Sequence, residues 1–402
     1  MSTPPVSARS VPGRFAAIYA AQFLFLGVQL PFLTALLDDA GLSPTAIGAV
    51  MAGALIARLL FGPPLAAFAD ASGRTRRVQM GLGAGVCGGA ALVGCGAYLL
   101  PGAPGGVVAG AGAVLALFAF GVVIPMTDAA AIAEEQAGRL RYGRVRAVGS
   151  AAFICANLGG GYLIARLGFE AGVFWLVLMG AGMALAASRL PRRGESATRP
   201  SSFAAARGLL RNRPFLLLVF AAGAGQAAHA TYYGFSILHW TSLGYDAATV
   251  GALWATGVIA EIVLLANGRR LIARFAPSAL IAIGGLAASG RWLATGLEPP
   301  LAALFCLQTL HALTFAAVHL GSVEAAGRLA PDARATAMTI ISTFGVGALT
   351  GAATLVAGAL FEQSGAFAAY ALCAGLGAVA ALAALVLMRM TVRPRAPAAA
   401  RP

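Results

Sequence analysis

Two side chains of opposite charge, Asp128 and Arg146, lie in apolar stretches on either side of a short polar turn. Each lies the same number of residues from position 137, where the chain reads Ala-Gly-Arg. If both stretches are helices of one hairpin, a rise of about 1.5 Å per residue puts the two side chains level, roughly 13 Å from the turn. A charge in apolar surroundings needs a partner. The spacing therefore predicts a buried charge pair.

The second half of the chain repeats this arrangement with groups that can exchange protons. Arg291 and His311 are equidistant from position 301, so they too would lie level in a hairpin, about 15 Å from the turn. Glu261 is the one acid deep in an apolar stretch of this half, and it is the natural partner of Arg291 or a histidine. His319 follows His311 on nearly the same helix face. Carboxylates and histidines have movable proton affinities, which suits proton coupling.

Both sets have a simpler interpretation, in which the charges only hold helices together. Arg58 is a further arginine deep in an apolar stretch. Ionisable residues at matching depth in both halves favour a role in moving a solute or an ion, because static pairs have no need of that match.

The elements that must carry these residues are membrane-spanning helices. Of 402 residues, 59% are hydrophobic and only 10% are charged, which excludes an ordinary soluble enzyme. Apolar runs of about 20 residues recur along the chain, each long enough to cross a bilayer as a helix. The sequence predicts an all-α integral membrane protein with twelve spans, in chain order 15–37, 44–69, 78–100, 105–135, 143–167, 169–188, 214–240, 246–266, 276–296, 300–326, 333–361 and 365–388.

The basic residues indicate topology. All 28 are arginine, so a phosphate-binding loop that ends in Gly-Lys cannot occur. The arginines concentrate in the tails, the central linker and alternate loops, whereas the other loops carry acids. We call these two faces the arginine side and the acidic side. Basic loops stay in the cytoplasm, so both termini are expected there, and nucleic acid is a poor explanation of the net charge of +14.

A polar, arginine-rich segment divides the chain into nearly equal parts with six spans each. We predict an N-terminal six-helix bundle at 1–188, a basic cytoplasmic linker at 189–213, and a C-terminal six-helix bundle with a short tail at 214–402. Duplicated secondary transporters have this organisation.

These features resemble the major facilitator superfamily. The loop ADASGRTRR, Ala69 to Arg77, is similar to the loop conserved in that superfamily. The resemblance gives this loop a gating role, carried by Asp70, Gly73, Arg74 and Arg77. In this role Asp70 would close the arginine side by pairing with a base.

The stretch YGRVRAVGS around Arg146 is similar to the lactose permease branch of the superfamily. The resemblance implies that Asp128 and Arg146 bind substrate and that Phe153 stacks on it. It also places Glu261, Arg291 and His311 in a proton-coupling cluster. The chain departs from that branch at Thr314, where the branch has the glutamate that carries the proton.

Further motifs look like the 3-phenylpropionate permease group, a set of proton symporters. They are LIARLLFG around Arg58, HATYYGFSILHW from His229 to Trp240, the dipeptide Arg291-Trp292, and LHALTFAAVHL from Leu310 to Leu320. Their arginines and aromatic rings suit an aromatic carboxylate, and a sugar or nucleoside fits the same residue types. This adds Arg58, His229, Tyr232 and Tyr233 to the substrate-binding residues.

The predicted function is proton-coupled uptake of a small organic solute in a bacterial inner membrane. Glu261 is the expected proton carrier, with His311 as a neutral relay and His319 as the next candidate carrier. The alternatives are proton-coupled efflux on the same fold and a non-transporting membrane assembly factor. We expect no enzyme activity, no cofactor and no metal, with the proton gradient as the energy source. The expected partners are the solute, protons and membrane lipid, and we expect a functional monomer.

Overall fold

Helices make up nearly all of the part of the chain that the computed structural model describes, which is residues 11–191, 203–267 and 274–391. No strand occurs in these ranges. The first six spans are single helices: Val11–Asp39, Pro44–Ala71, Thr75–Tyr98, Gly102–Gln136, Tyr142–Leu167 and Phe169–Ser188.

The second six spans are less regular. A short helix, Phe203–Leu209, precedes the seventh span, which is broken into Arg213–Ala227 and Ala230–Ser242. The eighth and ninth spans are Ala247–Asn267 and Pro277–Gly296. The tenth consists of Leu301–Thr309, a π-helical segment Ala312–Ala317, and Val318–Leu329.

The last two spans form one continuous run of helix with a bend. It begins with Arg334–Ile340 and a π-helical segment Ile341–Gly347, and continues as Ala348–Thr391. Gly365 has φ of 81° within that helix, a backbone conformation that only glycine adopts without strain. The predicted boundary between the last two spans falls at this bend.

Ten described segments are long and apolar enough to cross a membrane. One of them, Pro331–Thr391, is 61 residues long and contains the bend at Gly365, so it covers two predicted spans. Predicted span nine is the helix Pro277–Gly296, which is not among the ten. The described helices are therefore compatible with twelve spans in an all-α membrane protein.

Parts of the predicted organisation lie outside the described residues. These are positions 192–202 of the predicted linker, the tail residues 1–10 and 392–402, and the loop arginines Arg269 and Arg270. The division into two six-helix domains at 1–188 and 214–402 stays a prediction.

Close packing between helices depends on small residues. A side chain at Gly83 would lie 2.5 Å from the backbone of Ala184 in the sixth span, and one at Gly89 would lie 2.6 Å from the backbone of Ala116 in the fourth. In a membrane, helices associate through such close backbone contacts because lipid is as apolar as the side chains.

The first and last six spans pack against each other mainly at the acidic side. The acidic-side part of the seventh span, Ala230–Ser242, packs against the first and second spans, whereas Arg213–Ala227 packs against spans nine to twelve. A side chain at Gly358 would lie 2.5 Å from the Pro44 carbonyl oxygen, and one at Gly251 would clash with the Asn157 carbonyl oxygen. The acidic side is therefore closed by spans two and eleven and by spans five and eight.

A hydrogen bond across this closure involves an acid of the eleventh span. The backbone N–H of Thr45, in the first turn of the second span, donates to the Glu362 carboxylate at 2.9 Å. An acid at a helix N-terminus is favourable because the free N–H groups and the helix dipole attract negative charge. The contact therefore joins the two halves of the molecule at their acidic side.

Candidate functional site

Asp128, on the fourth span, is held chiefly by two tyrosines. The Tyr19 hydroxyl donates to Asp128 Oδ1 at 2.6 Å, and the Tyr142 hydroxyl donates to the same atom at 3.2 Å. Arg146 Nε lies 3.9 Å from this oxygen. The two charges are therefore neighbours, as the hairpin spacing predicts, but the distance between them is long for an ion pair. Most of the hydrogen bonding to the carboxylate comes from the first span and the start of the fifth.

The Arg146 guanidinium lies against aromatic rings. Its carbon is 4.1 Å from the centre of the Phe23 ring and 5.8 Å from that of Tyr19. A guanidinium over a ring face is attracted by the ring quadrupole. Because 32% of the Arg146 side chain is exposed, it remains accessible to a solute.

Phe153 does not provide the aromatic surface at this site. It is only 6% exposed within the core, and its carbonyl oxygen faces Gly27 of the first span. The ring that contacts Arg146 is that of Phe23. Helix packing explains the difference, since the close approach of the first and fifth spans buries Phe153 and brings Phe23 beside the arginine.

Arg291, on the ninth span, is fully buried among neutral partners. Its Nη1 donates to Thr314 Oγ1 at 2.9 Å and lies 3.3 Å from His311 Nδ1, and its Nη2 donates to Gln308 Oε1 at 2.7 Å. The guanidinium carbon also lies 4.2 Å from the Trp292 ring centre. Hydrogen bonds and an aromatic face therefore compensate this charge, and no carboxylate among the described residues lies within ion-pair distance of it.

Thr314 links Arg291 to His229 of the seventh span. His229 Nδ1 lies 3.2 Å from the Gln226 carbonyl oxygen, which can only accept, so Nδ1 carries the proton. In the neutral ring Nε2 is then an acceptor, and the Thr314 hydroxyl, 3.0 Å away, donates to it. The same hydroxyl oxygen accepts from Arg291. Thr314 is thus the centre of a hydrogen-bonded chain.

Glu261 contacts His311 instead of Arg291. Glu261 Oε2 is 3.7 Å from His311 Nε2, while His311 Nδ1 faces the Arg291 donor. Nδ1 must therefore accept, which places the proton of a neutral ring on Nε2, pointing toward the carboxylate. The histidine lies between the acid and the arginine, and 20% of the Glu261 side chain is exposed.

Aromatic rings surround this cluster. Tyr232 stacks on Trp254 with centroids 4.2 Å apart and also lies 5.4 Å from Trp292. Tyr233 stacks on His229 at 5.4 Å. The predicted residues His229, Tyr232 and Tyr233 therefore belong to the Arg291 cluster, and Trp254 joins them from the eighth span.

His319 is more distant from the cluster. The rings of His311, Phe315 and His319 stack in sequence, with successive centroids 5.2 Å and 6.4 Å apart. This is the arrangement that the helix spacing predicts. His319 itself is exposed, and Phe315 separates it from the buried histidine.

Arg58 and Asp70 line a different cavity, of about 480 Å³, between the second, fourth and eleventh spans. Asp70 accepts a hydrogen bond from Thr75 at 3.3 Å. Among the described ion pairs, none joins Asp70 to Arg74 or Arg77, so the predicted pairing is not made with either of these two arginines. Gly73, with φ of 63°, makes the turn that separates Asp70 from these arginines.

Comparisons with known proteins agree with this architecture. The model of the MFS_1 like family matches residues 14–372. A protein of Escherichia coli (strain K12) described as a probable 3-phenylpropionic acid transporter is 28% identical over 356 residues, 86% of this chain and 90% of that protein. The maltose permease of Geobacillus stearothermophilus is 30% identical over 247 residues, 60% of this chain and 61% of that protein.

Solved structures share the fold at low sequence identity. A crystal structure of the nucleoside transporter NupG superimposes with a TM-score of 0.71 and 16% identity, covering 96% of this chain and 100% of that chain. A bacterial homologue of the lysosomal transporter Spinster, in an inward-facing and occupied conformation, has a TM-score of 0.66 and 17% identity, covering 97% of this chain and 98% of that chain. These likenesses concern the fold alone.

Proposed function

The chain belongs to the MFS_1 like family, and from this premise we propose that it imports a small organic anion together with protons. It is a multi-pass membrane transporter of the major facilitator type. We propose an aromatic carboxylate, such as a phenylpropionate, as the solute. The name of the Escherichia coli relative supports this class.

The observation that carries the proposal is the position of Arg146. Its guanidinium lies on the Phe23 ring, and its ion pair with Asp128 is long because two tyrosine hydroxyls already hold the carboxylate. A planar guanidinium that is partly exposed can bind a carboxylate through two parallel hydrogen bonds. Phe23 and Tyr19 supply aromatic surface beside that position.

We assign proton coupling to the cluster of Glu261, His311 and Arg291 in the second half of the chain. The Glu261 carboxylate is partly exposed, so a proton can reach it, and His311 connects it to the buried charge of Arg291. Protonation of Glu261 removes a negative charge close to His311 and Arg291. We propose that the hydrogen bonds of these residues rearrange in response, and that this couples proton loading to helix movement.

The closed acidic side supports transport by alternating access. In the described conformation, spans two and eleven and spans five and eight meet at the acidic side, which would face away from the cytoplasm in a bacterial inner membrane. The Arg58 cavity extends to Asp70 on the arginine side. We propose that this conformation releases solute to the cytoplasm.

Uptake into vesicles tests the proposal. Purified protein in liposomes with an imposed inward proton gradient should accumulate labelled 3-phenylpropionate above the outside concentration, and an uncoupler should abolish the accumulation. Maltose and uridine serve as the competing solute classes. Accumulation of one of these instead would refute the carboxylate assignment, and proton-driven loss of preloaded solute would show efflux. No movement of any solute under either gradient would favour the assembly-factor alternative.

A further inference from the structure

The cavity between the second, fourth and eleventh spans contains an arginine that the Asp128 and Arg291 clusters do not use. Arg58 lies at the middle of the helix Pro44–Ala71, about 20 Å from either end at 1.5 Å per residue. In the described part of the chain it makes no ion pair or hydrogen bond. Asp70, the acid of the same cavity, is about 18 Å further along the helix. A guanidinium at this depth has a charge that the protein does not neutralise.

The fourth span is shaped to hold the stem of Arg58. A side chain at Gly121 would clash with Arg58 Cδ. Gly121 therefore leaves the space that the arginine occupies. The guanidinium is held in the cavity by this packing.

The eleventh span lines the cavity with hydroxyl groups, and its helix is π-helical at this point. Thr339, Ser342 and Thr343 line the cavity from the eleventh span, and the last two belong to the π-helical segment Ile341–Gly347. Such π-helical turns occur frequently at functional sites. The Thr339 hydroxyl donates to the Ala335 carbonyl oxygen of its own helix at 3.0 Å. The Arg58 guanidinium and the hydroxyls of Ser342 and Thr343 form the donor set that a carboxylate needs.

The remaining walls decide which anion fits. Leu59, Val122, Met126 and Met338 are apolar, and the cavity of about 480 Å³ is in the size range of small-molecule sites. A strongly hydrated inorganic anion would lose its water against these walls, whereas an organic acid buries its apolar body there. The depth of Arg58 argues against a lipid headgroup, because headgroups lie at the membrane surface.

We propose that this cavity is a second binding site for a small amphiphilic monocarboxylate, separate from the Asp128–Arg146 site. The carboxylate binds Arg58 and the hydroxyls of Ser342 and Thr343, and the apolar body lies toward Met126 and Met338. The identification of this ligand with the transported solute rests on the proposed function; the binding site does not.

Photolabelling of the full-length protein in lipid nanodiscs tests this site. The probe is 4-benzoylbenzoate, an aromatic carboxylate whose ketone inserts into nearby C–H bonds on irradiation, and the labelled peptides are identified by mass spectrometry. We expect labelling on Met126 and Met338 that falls about tenfold or more in Arg58→Gln, the loss expected for a hydrogen bond to a charged group. Arg144→Gln, which removes an exposed arginine of the fifth span, is the matched control and should label normally. Arg146→Gln should also retain labelling at these two methionines.

Two further measurements keep the result interpretable. Gly121→Ala displaces Arg58 without removing its charge, so it should reduce labelling as well, even if Arg58→Gln does not fold. The uncharged probe 4-methylbenzophenone should label the methionines weakly and independently of Arg58. Equal labelling by both probes, or unchanged labelling in Arg58→Gln, would show an apolar crevice and overturn the proposal.

Competition separates the possible ligands. Excess 3-phenylpropionate should protect the methionines, whereas protection by chloride alone would show an inorganic anion site, and protection by oleate alone would show a membrane fatty acid site. Either of these outcomes overturns the small-acid assignment. Methionine labelling that depends on Arg58, in a protein that does not transport 3-phenylpropionate, would refute the proposed solute and leave the site intact. Normal transport of 3-phenylpropionate without labelling that depends on Arg58 would refute the second site and leave the proposed solute intact.

Discussion

Thr314 joins two fully buried residues, so removing its hydroxyl tests the network of the second half directly. Thr314→Val keeps nearly the same shape, but Arg291 Nη1 loses its acceptor at 2.9 Å and His229 Nε2 loses its donor at 3.0 Å. A hydrogen bond to a charged group contributes about 1.5–3 kcal/mol, and a neutral one between membrane helices averages about 0.6 kcal/mol. We therefore expect the free energy of unfolding to fall by about 2–4 kcal/mol.

The assay is equilibrium unfolding in detergent micelles, followed by the fluorescence of the tryptophans that surround the cluster. Thr354→Val is the matched control, because within the described ranges the Thr354 hydroxyl bonds only to the Thr350 carbonyl oxygen of its own helix. Thr314→Ser retains the hydroxyl and should lose only about 0.5–1.5 kcal/mol, the usual cost of deleting one buried methyl group. If Thr314→Val and Thr354→Val destabilise the protein equally, Thr314 does not connect Arg291 with His229 in the way the geometry indicates.

Two other substitutions address binding and gating. Arg146→Lys should abolish uptake of 3-phenylpropionate into vesicles while the protein still inserts, because an ammonium cannot offer a planar fork to a carboxylate; normal uptake would reduce Arg146 to a helix contact. Asp70→Asn should lower the maximal uptake rate and leave solute affinity nearly unchanged, as measured by the concentration dependence of uptake. Lost affinity at a normal maximal rate would instead place Asp70 in a binding site.

The features that depend on distance along the chain could be predicted from the sequence. Equal spacing from a turn puts Asp128 level with Arg146 and Arg291 level with His311, because a hairpin has one rise per residue and a short connection. The limits of the apolar runs placed the end of the eleventh span close to Gly365. These relations are local to two neighbouring helices, so they require no knowledge of how the spans pack.

Contacts between spans that are distant in sequence could not be predicted in this way. Phe23 and Tyr19 reach the Asp128 site from the first span, and nothing in their spacing from the fourth and fifth spans indicates it. The sequence draws attention to Thr314 only because the lactose permease branch has a glutamate at this position. In the structure, Thr314 is the centre of a hydrogen-bonded chain. The seventh span breaks after Ala227, two residues beyond Gly225, but nothing in the sequence indicates that this break brings His229 to Thr314.

We propose that the charges at mid-depth connect the two clusters electrostatically. Arg58, Arg146 and Arg291 carry three positive charges, and Asp128 and Glu261 carry two negative ones, so the spans favour a bound anion. On the proposed function, proton uptake by Glu261 increases the excess of positive charge, and we expect the anion to bind more tightly. By linkage, the bound anion then holds the proton equally more tightly. This reciprocity would make the anion and the proton move together, without direct contact between them.

Glu261→Gln tests this coupling because glutamine imitates the protonated acid. The wild-type affinity for 3-phenylpropionate should rise as pH falls, whereas Glu261→Gln should bind with the high affinity at every pH. The variant should exchange labelled solute across the vesicle membrane but fail to accumulate it, because it has no proton to release. Equilibrium binding and exchange at several pH values provide the measurement, with Glu324→Gln as the control, since Glu324 pairs with Arg328 in an exposed contact. Normal accumulation by Glu261→Gln would move the proton carrier elsewhere, with His319 as the next candidate. If the affinity of Glu261→Gln for 3-phenylpropionate still depended on pH, the charge of Glu261 would not be what links proton uptake to anion binding.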